Sequence, residues 1–140
     1  FLYVYAFFIV VIGVFCFLKY RKEKLYKKYF KSYKYIFILP LLDIISTILF
    51  VNKYGIYAEG NHIIRNLLYK FGYFTFVFYY PFIIICLIAL YSFNYYIINT
   101  YSKNKHDKVK KMNNMFKITI ISLILIYIFT LINNLSSLFL

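Results

Sequence analysis

Four apolar runs constrain this chain more than any other feature, because each reaches or approaches the roughly 20 residues needed to cross a bilayer. They cover about residues 1–18, 35–51, 73–100 and 118–140. An open strand would leave its backbone unsatisfied in lipid, and the alternating pattern of a barrel is absent, so each run is read as a helix. The expectation is an all-α, multi-pass integral membrane protein with four transmembrane helices. Connections this short predict an up-down bundle with antiparallel neighbours, and no Ser-, Pro- or Gly-rich linker divides residues 1–140. No internal repeat is present, and the opening Phe1 in place of Met leaves room for residues before it.

The net charge of +13 belongs to the connections between these runs. In a soluble chain it would suggest nucleic acid. Here the residues 19–34 carry seven Lys and one Arg, and residues 101–117 carry six Lys. That is the placement of topology signals and lipid-headgroup contacts, so no nucleic-acid partner is expected. The connection at 52–72 holds only three basic residues. The two basic loops are therefore expected in the cytoplasm, or on the matrix side of an organelle, with both termini and the 52–72 segment on the opposite face. Anionic lipid headgroups are the expected partners of the basic loops, at about 1 kcal/mol per basic residue near a charged surface. A docking surface for an acidic partner is the alternative.

Phe, Tyr, Ile, Asn and Lys are abundant, Lys outnumbers Arg fifteen to two, and Trp is absent. Such a bias follows from an AT-rich gene, so many Tyr and Lys residues need no functional explanation. Cys16 and Cys86 lie within apolar runs without CxxC spacing and read as small hydrophobes.

The exceptional stretch is DIISTILFVNKYGIYAEGNHIIR, Asp43 to Arg65. An Asp near the middle of a spanning helix costs roughly 2.5–3.5 kcal/mol on insertion scales, against about 0.3–0.6 returned by each large aliphatic or Phe residue. Asp43 is therefore expected to face the interior and to have a partner. Ser46 and Thr47, three and four residues on, place hydroxyls on the same side of the helix. The connection that follows gathers Gly55, Ala58, Glu59, Gly60, His62 and Arg65, residue types that are rare elsewhere in the chain. Gly60 offers a positive φ, Asn61 an N-cap and Gly72 a C-terminal stop, so residues 62–71 read as a short amphipathic helix on the outer interface. Its N-terminus would sit over the mouth of the bundle and aim toward Asp43. The most economical ion pair joins Arg65 to Asp43 or Glu59.

The intramembrane Asp43 followed by Ser46 and Thr47, then Gly55, Glu59-Gly60-Asn61 and Arg65, resembles the small integral membrane family designated DUF5658, a domain of unknown function in archaea and bacteria. The likeness covers about residues 42–72, and the Pro that typically follows the Asn in that family is His62 here. The resemblance implies importance for Asp43, Thr47, Glu59 and Asn61 and brings no reaction with it.

Three readings follow. In the first, Asp43, Glu59, Asn61 and Arg65 form a buried polar lock in an accessory subunit of a larger membrane assembly, with other membrane subunits as partners. In the second, Asp43, Thr47, Glu59 and Asn61 bind a cation or polar solute for transport or proton relay; Asp43, Glu59 and His62 are the candidate metal ligands. The third is a small membrane enzyme, for which no GxSxG, HExxH or phosphate-cradling loop is present, so no catalytic residue and no cofactor is assigned.

Overall fold

In its first helix, α1 (Leu2–Tyr20), the apolar run of the sequence continues unbroken until backbone bonds from Arg21 N–H to the Phe17 carbonyl and from Glu23 N–H to the Tyr20 carbonyl, both 2.9 Å, close it. The computed structural model describes the backbone of residues 2–139 and the side chains of residues 7–136. Phe1 and Leu140, the outer ends of the first and last expected helices, lie outside the described residues. Every regular element among those described is helical.

The basic segment after α1 is not a loop throughout. Lys24–Tyr33 forms a second helix, α2, and a 3₁₀ turn at Lys34–Phe37 leads into α3 (Ile38–Tyr54). The reason lies in spacing. Tyr26, Tyr29 and Tyr33 recur along one helical face and are buried, while Lys24, Lys27, Lys28 and Lys31 point outward. A 3₁₀ turn at Ile56–Ala58 follows α3, then α4 (His62–Phe71), a further turn at Gly72–Phe74, α5 (Thr75–Tyr101) and α6 (Lys105–Phe139). The second basic segment is likewise mostly helical: α6 starts within it and runs through its lysines, which are good helix formers.

Positive φ angles fall at Gly55 (+85°) and Gly72 (+57°), and Gly60, where one was expected, has none. Gly55 ends α3 by donating its N–H to the Val51 carbonyl at 2.8 Å, and Gly72 ends α4 by donating to the Leu68 carbonyl. A Cβ at either glycine would meet open space, so the conformation alone selects the residue.

Among the described residues, three helical stretches are long and apolar enough to cross a membrane: Lys24–Tyr54, His62–Tyr101 and Lys105–Ser136. The part of α1 with described side chains, Phe7–Tyr20, is apolar as well.

Contacts group the residues into two compact units. The first combines α1 and α2 with residues 84–122. Its centre is a set of buried tyrosines, and the hydroxyls of Tyr26, Tyr29, Tyr33, Tyr91 and Tyr95 find hydrogen-bond partners, as burial of a polar tip requires. Tyr26 shares a hydrogen bond with Ser92 at 2.8 Å, Tyr91 donates to the Tyr26 carbonyl at 2.8 Å, and Tyr95 donates to Glu23 Oε2 at 2.5 Å. Lys108 completes this corner, with Nζ 3.7 Å from Glu23 Oε2 and 4.7 Å from the centre of the Tyr95 ring. Gly13 lies so close to Ala89 that a Cβ there would stand 2.5 Å from the Ala89 carbonyl oxygen.

The second unit comprises residues 37–83 and 123–140. Its core joins Ile44 and Val51 of α3, Ile64 and Leu68 of α4, and Phe76 of α5. The Tyr80 hydroxyl donates to the Phe37 carbonyl at 3.1 Å, and Tyr73 hydrogen-bonds Asn52. All the residues singled out between Asp43 and Arg65 belong to this unit.

Candidate functional site

Asp43, Thr47 and Phe50 follow one another at helical spacing on α3 and line one wall of a cavity of about 330 Å³ within the second unit. Residues 58–61 and Ile64 form a second wall, and Phe76 and Tyr79 of α5 a third. Phe129, Thr130, Asn133 and Asn134 of α6 complete the lining. Asp43 and Glu59 are both half-buried.

Local hydrogen bonds explain how the connection acquires this shape. Asn61 caps α4: its Oδ1 accepts from the N–H groups of Ile63 and Ile64 at 3.0 and 3.3 Å. The Asn61 N–H donates in turn to Glu59 Oε1 at 2.8 Å. The Glu59 carboxylate is thereby tied to the start of α4 at the edge of the cavity, where the partial positive charge of a helix N-terminus favours an anion.

On the α3 side, Ser46 donates to the Asp43 carbonyl at 2.8 Å, the back-bonding common for hydroxyls inside helices. The Asn134 side-chain amide then donates to Ser46 Oγ at 3.0 Å and Thr47 Oγ1 at 3.4 Å, which joins α6 to α3. Thr130 lines the same cavity as Asp43, and its hydroxyl donates to the Tyr127 carbonyl at 3.0 Å.

Among the residues named from the sequence, the structure brings Asp43, Thr47, Glu59 and Asn61 to the cavity wall. Ser46 is buried behind it. His62 and Arg65 do not line it. The ion pair expected between Arg65 and Asp43 or Glu59 is replaced by other contacts: Arg65 Nη1 donates to the Glu59 carbonyl at 3.4 Å, and its other terminal nitrogen meets His62 Nδ1. Arg65 lies four residues beyond Asn61, a little over one turn, so its guanidinium reaches back along α4 to the backbone before the cap.

Among the described residues, no three His, Cys, Asp or Glu side chains come together to hold a metal ion, and His62, exposed on the first turn of α4, is engaged by Arg65.

Thr130, Asn133, Asn134 and Tyr79 are the polar lining residues that sequence reading did not assign to the site. A signal for three of them was present: Thr130, Asn133 and Asn134 interrupt an apolar run at one-turn spacing, as Asp43 and Thr47 do in α3. No Lys, Arg or His side chain among the described residues lines the cavity, so its two carboxylates face it without a basic partner there. Such a space can accept a positively charged or hydrogen-bonding solute. No protein-family model, curated protein or solved structure matches the chain.

Proposed function

We propose that this chain is a multi-pass membrane protein that binds a cation or small polar solute in the cavity between Asp43 and the 58–61 segment. The observation that carries the reading is the cavity itself, in which two carboxylates meet Thr47, Thr130, Asn133 and Asn134 without a lining basic residue. A polar lock without a ligand would be better served by a carboxylate–guanidinium pair, and Arg65 is occupied elsewhere. The four residues emphasised by the DUF5658-like pattern, Asp43, Thr47, Glu59 and Asn61, all line this one space, which supports treating that resemblance as a proposal of kinship.

In this reading four helices span the bilayer as an up-down bundle, with α4 at the outer interface. The exposed apolar side chains of α6, among them Ile121, Leu125, Phe129 and Ile132, suit contact with lipid. The lysines of residues 19–34 and 101–117 attract anionic headgroups on the cytoplasmic or matrix side.

Cysteine accessibility tests the assignment. In a chain with Cys16 and Cys86 replaced by Ser, Thr47→Cys on the cavity wall is expected to react with a small charged thiol reagent at least tenfold faster than Leu49→Cys. Leu49 is half exposed on α3 and does not line the cavity. Equal, slow labelling of both would mean that no water-accessible space reaches α3.

The accessory-subunit reading rests on a different observation, the Asn134 bridge to Ser46 and Thr47. It requires that the chain purify only in stoichiometric complex with other membrane subunits. It also requires that Asn134→Leu lower abundance with no effect on solute binding.

A further inference from the structure

The chemistry of the cavity narrows the class of solute, and this step rests on reading the cavity as a binding site. Its two acids come from different elements, Asp43 from α3 and Glu59 from the connection before α4, and neither forms an ion pair with a Lys or Arg among the described residues. Two like charges facing a half-buried space repel one another, and a bound cation removes that cost.

Size argues against a bare metal ion. Calcium gathers six to eight oxygens at about 2.3–2.6 Å, whereas a space of about 330 Å³ is that of a small-molecule pocket. Four aromatic side chains, Phe50, Phe76, Tyr79 and Phe129, line the same cavity, beside Ile44 and Ile64. Ring faces attract organic ammonium groups and pack against their methyl or methylene carbons, which a hydrated metal ion does not exploit.

We propose that the cavity takes a small organic ammonium ion, its cationic head between Asp43 and Glu59 and its carbon body against the aromatic side chains. Arg65 acts as a positioning residue. By bonding the Glu59 carbonyl and the His62 ring, it fastens the backbone of the connection and keeps its own charge out of the site. Asn61 contributes from the other side of Glu59 by holding Oε1 with its N–H.

The test uses the full chain in lipid nanodiscs at constant ionic strength. Binding is followed by equilibrium dialysis with choline and ethylammonium as probes, 3,3-dimethyl-1-butanol as the neutral isostere of choline, and Na⁺ and Ca²⁺ as inorganic cations. Choline or ethylammonium is expected to bind at least tenfold more tightly than the neutral alcohol. Glu59→Gln is expected to weaken that binding by tenfold or more, and Asp43→Asn by at least as much. Glu23→Gln, in the other unit, leaves it unchanged.

Should Asp43→Asn fail to fold, Glu59→Gln decides, since its position on an exposed-edge connection spares the helices; an unaltered circular dichroism spectrum verifies this. Equal affinity for choline and its neutral isostere overturns the ammonium assignment and leaves a polar-solute site. Asp43-dependent binding of Na⁺ or Ca²⁺ without binding of either ammonium ion does the same and leaves an inorganic cation site. Binding of none of the five probes overturns the ammonium assignment and the binding reading together.

Discussion

At the scale of single residues, Asn61 carries more of the site than its size suggests. Its side chain satisfies the first free N–H groups of α4 and its backbone holds Glu59, so one residue fixes both the start of a helix and the direction of a carboxylate. Replacement of an N-cap Asn by Ala typically costs about 1 kcal/mol. Asn61→Ala is therefore expected to lower stability by about that amount and to speed amide exchange at Ile63 and Ile64, measured by hydrogen exchange with mass spectrometry. Asn61→Asp keeps the cap and should restore protection. If Ile63 and Ile64 exchange at the same rate in all three proteins, the cap contributes nothing.

Asn61, Asp43, Thr47 and Glu59 were legible in the sequence because each breaks a local pattern: an acid in an apolar run, or a helix-start residue before amphipathic spacing. The partner of Arg65 was not legible. A guanidinium near two carboxylates is drawn to whichever acceptor the chain geometry offers, and here that is a backbone carbonyl.

At the scale of elements, α4 could be read directly from residues 61–72, since a capping Asn and a stopping Gly frame its amphipathic run. By contrast, α2 was hidden by its own lysines. Charge was read as a loop signal, while Tyr26, Tyr29 and Tyr33 already marked a buried helical face. The start of α6 shows the same lesson in finer detail. Asn104 is its N-cap, with its Oδ1 2.8 Å from the Asp107 N–H, and Asp107 Oδ2 reaches back to the Lys103 N–H at 3.0 Å, a variant of the capping box.

Lys111, whose Nζ lies 2.9 Å from Asp107 Oδ2, and then the Lys103 N–H hold the Asp107 carboxyl below its usual value. Because the folded-state pKa is the lower one, the contribution of Asp107 is present above its unfolded value near 4 and is lost as pH falls through the folded value. Amide protection at residues 107–109 is expected to be constant from pH 7 to 5 and to decline below about pH 4. In Asp107→Asn, which lacks the charge throughout, that decline should vanish; an unchanged acid profile in the variant would assign the effect to another group.

For the whole molecule, the sequence could say that the chain is helical and rich in stretches apolar and long enough to cross a membrane, since hydropathy and length suffice for that. It could not show that contacts divide the residues into two units, or that the far end of α6 contributes Thr130, Asn133 and Asn134 to a cavity begun at Asp43. Separations of nearly ninety residues leave no trace in local spacing, and one sequence carries no record of which distant positions meet. In the proposed membrane reading, orientation belongs to this scale too, and the asymmetry of Lys and Arg between connections predicts it. In a bacterial host, a phosphatase reporter active only outside the cytoplasm is expected to be active when inserted after Tyr57 and inactive after Lys105. The reverse pattern would place the cavity segment on the inner face.

The open side of the cavity has one more consequence. Phe129 lines it and is 75% exposed, and the chain contains no Trp at all. An indole placed at this position would be the sole long-wavelength fluorophore of the protein, standing where solvent, lipid and solute exchange. Excited at the red edge, beyond the absorption of the 18 tyrosines, that one ring would report occupancy of the cavity as a change of emission colour.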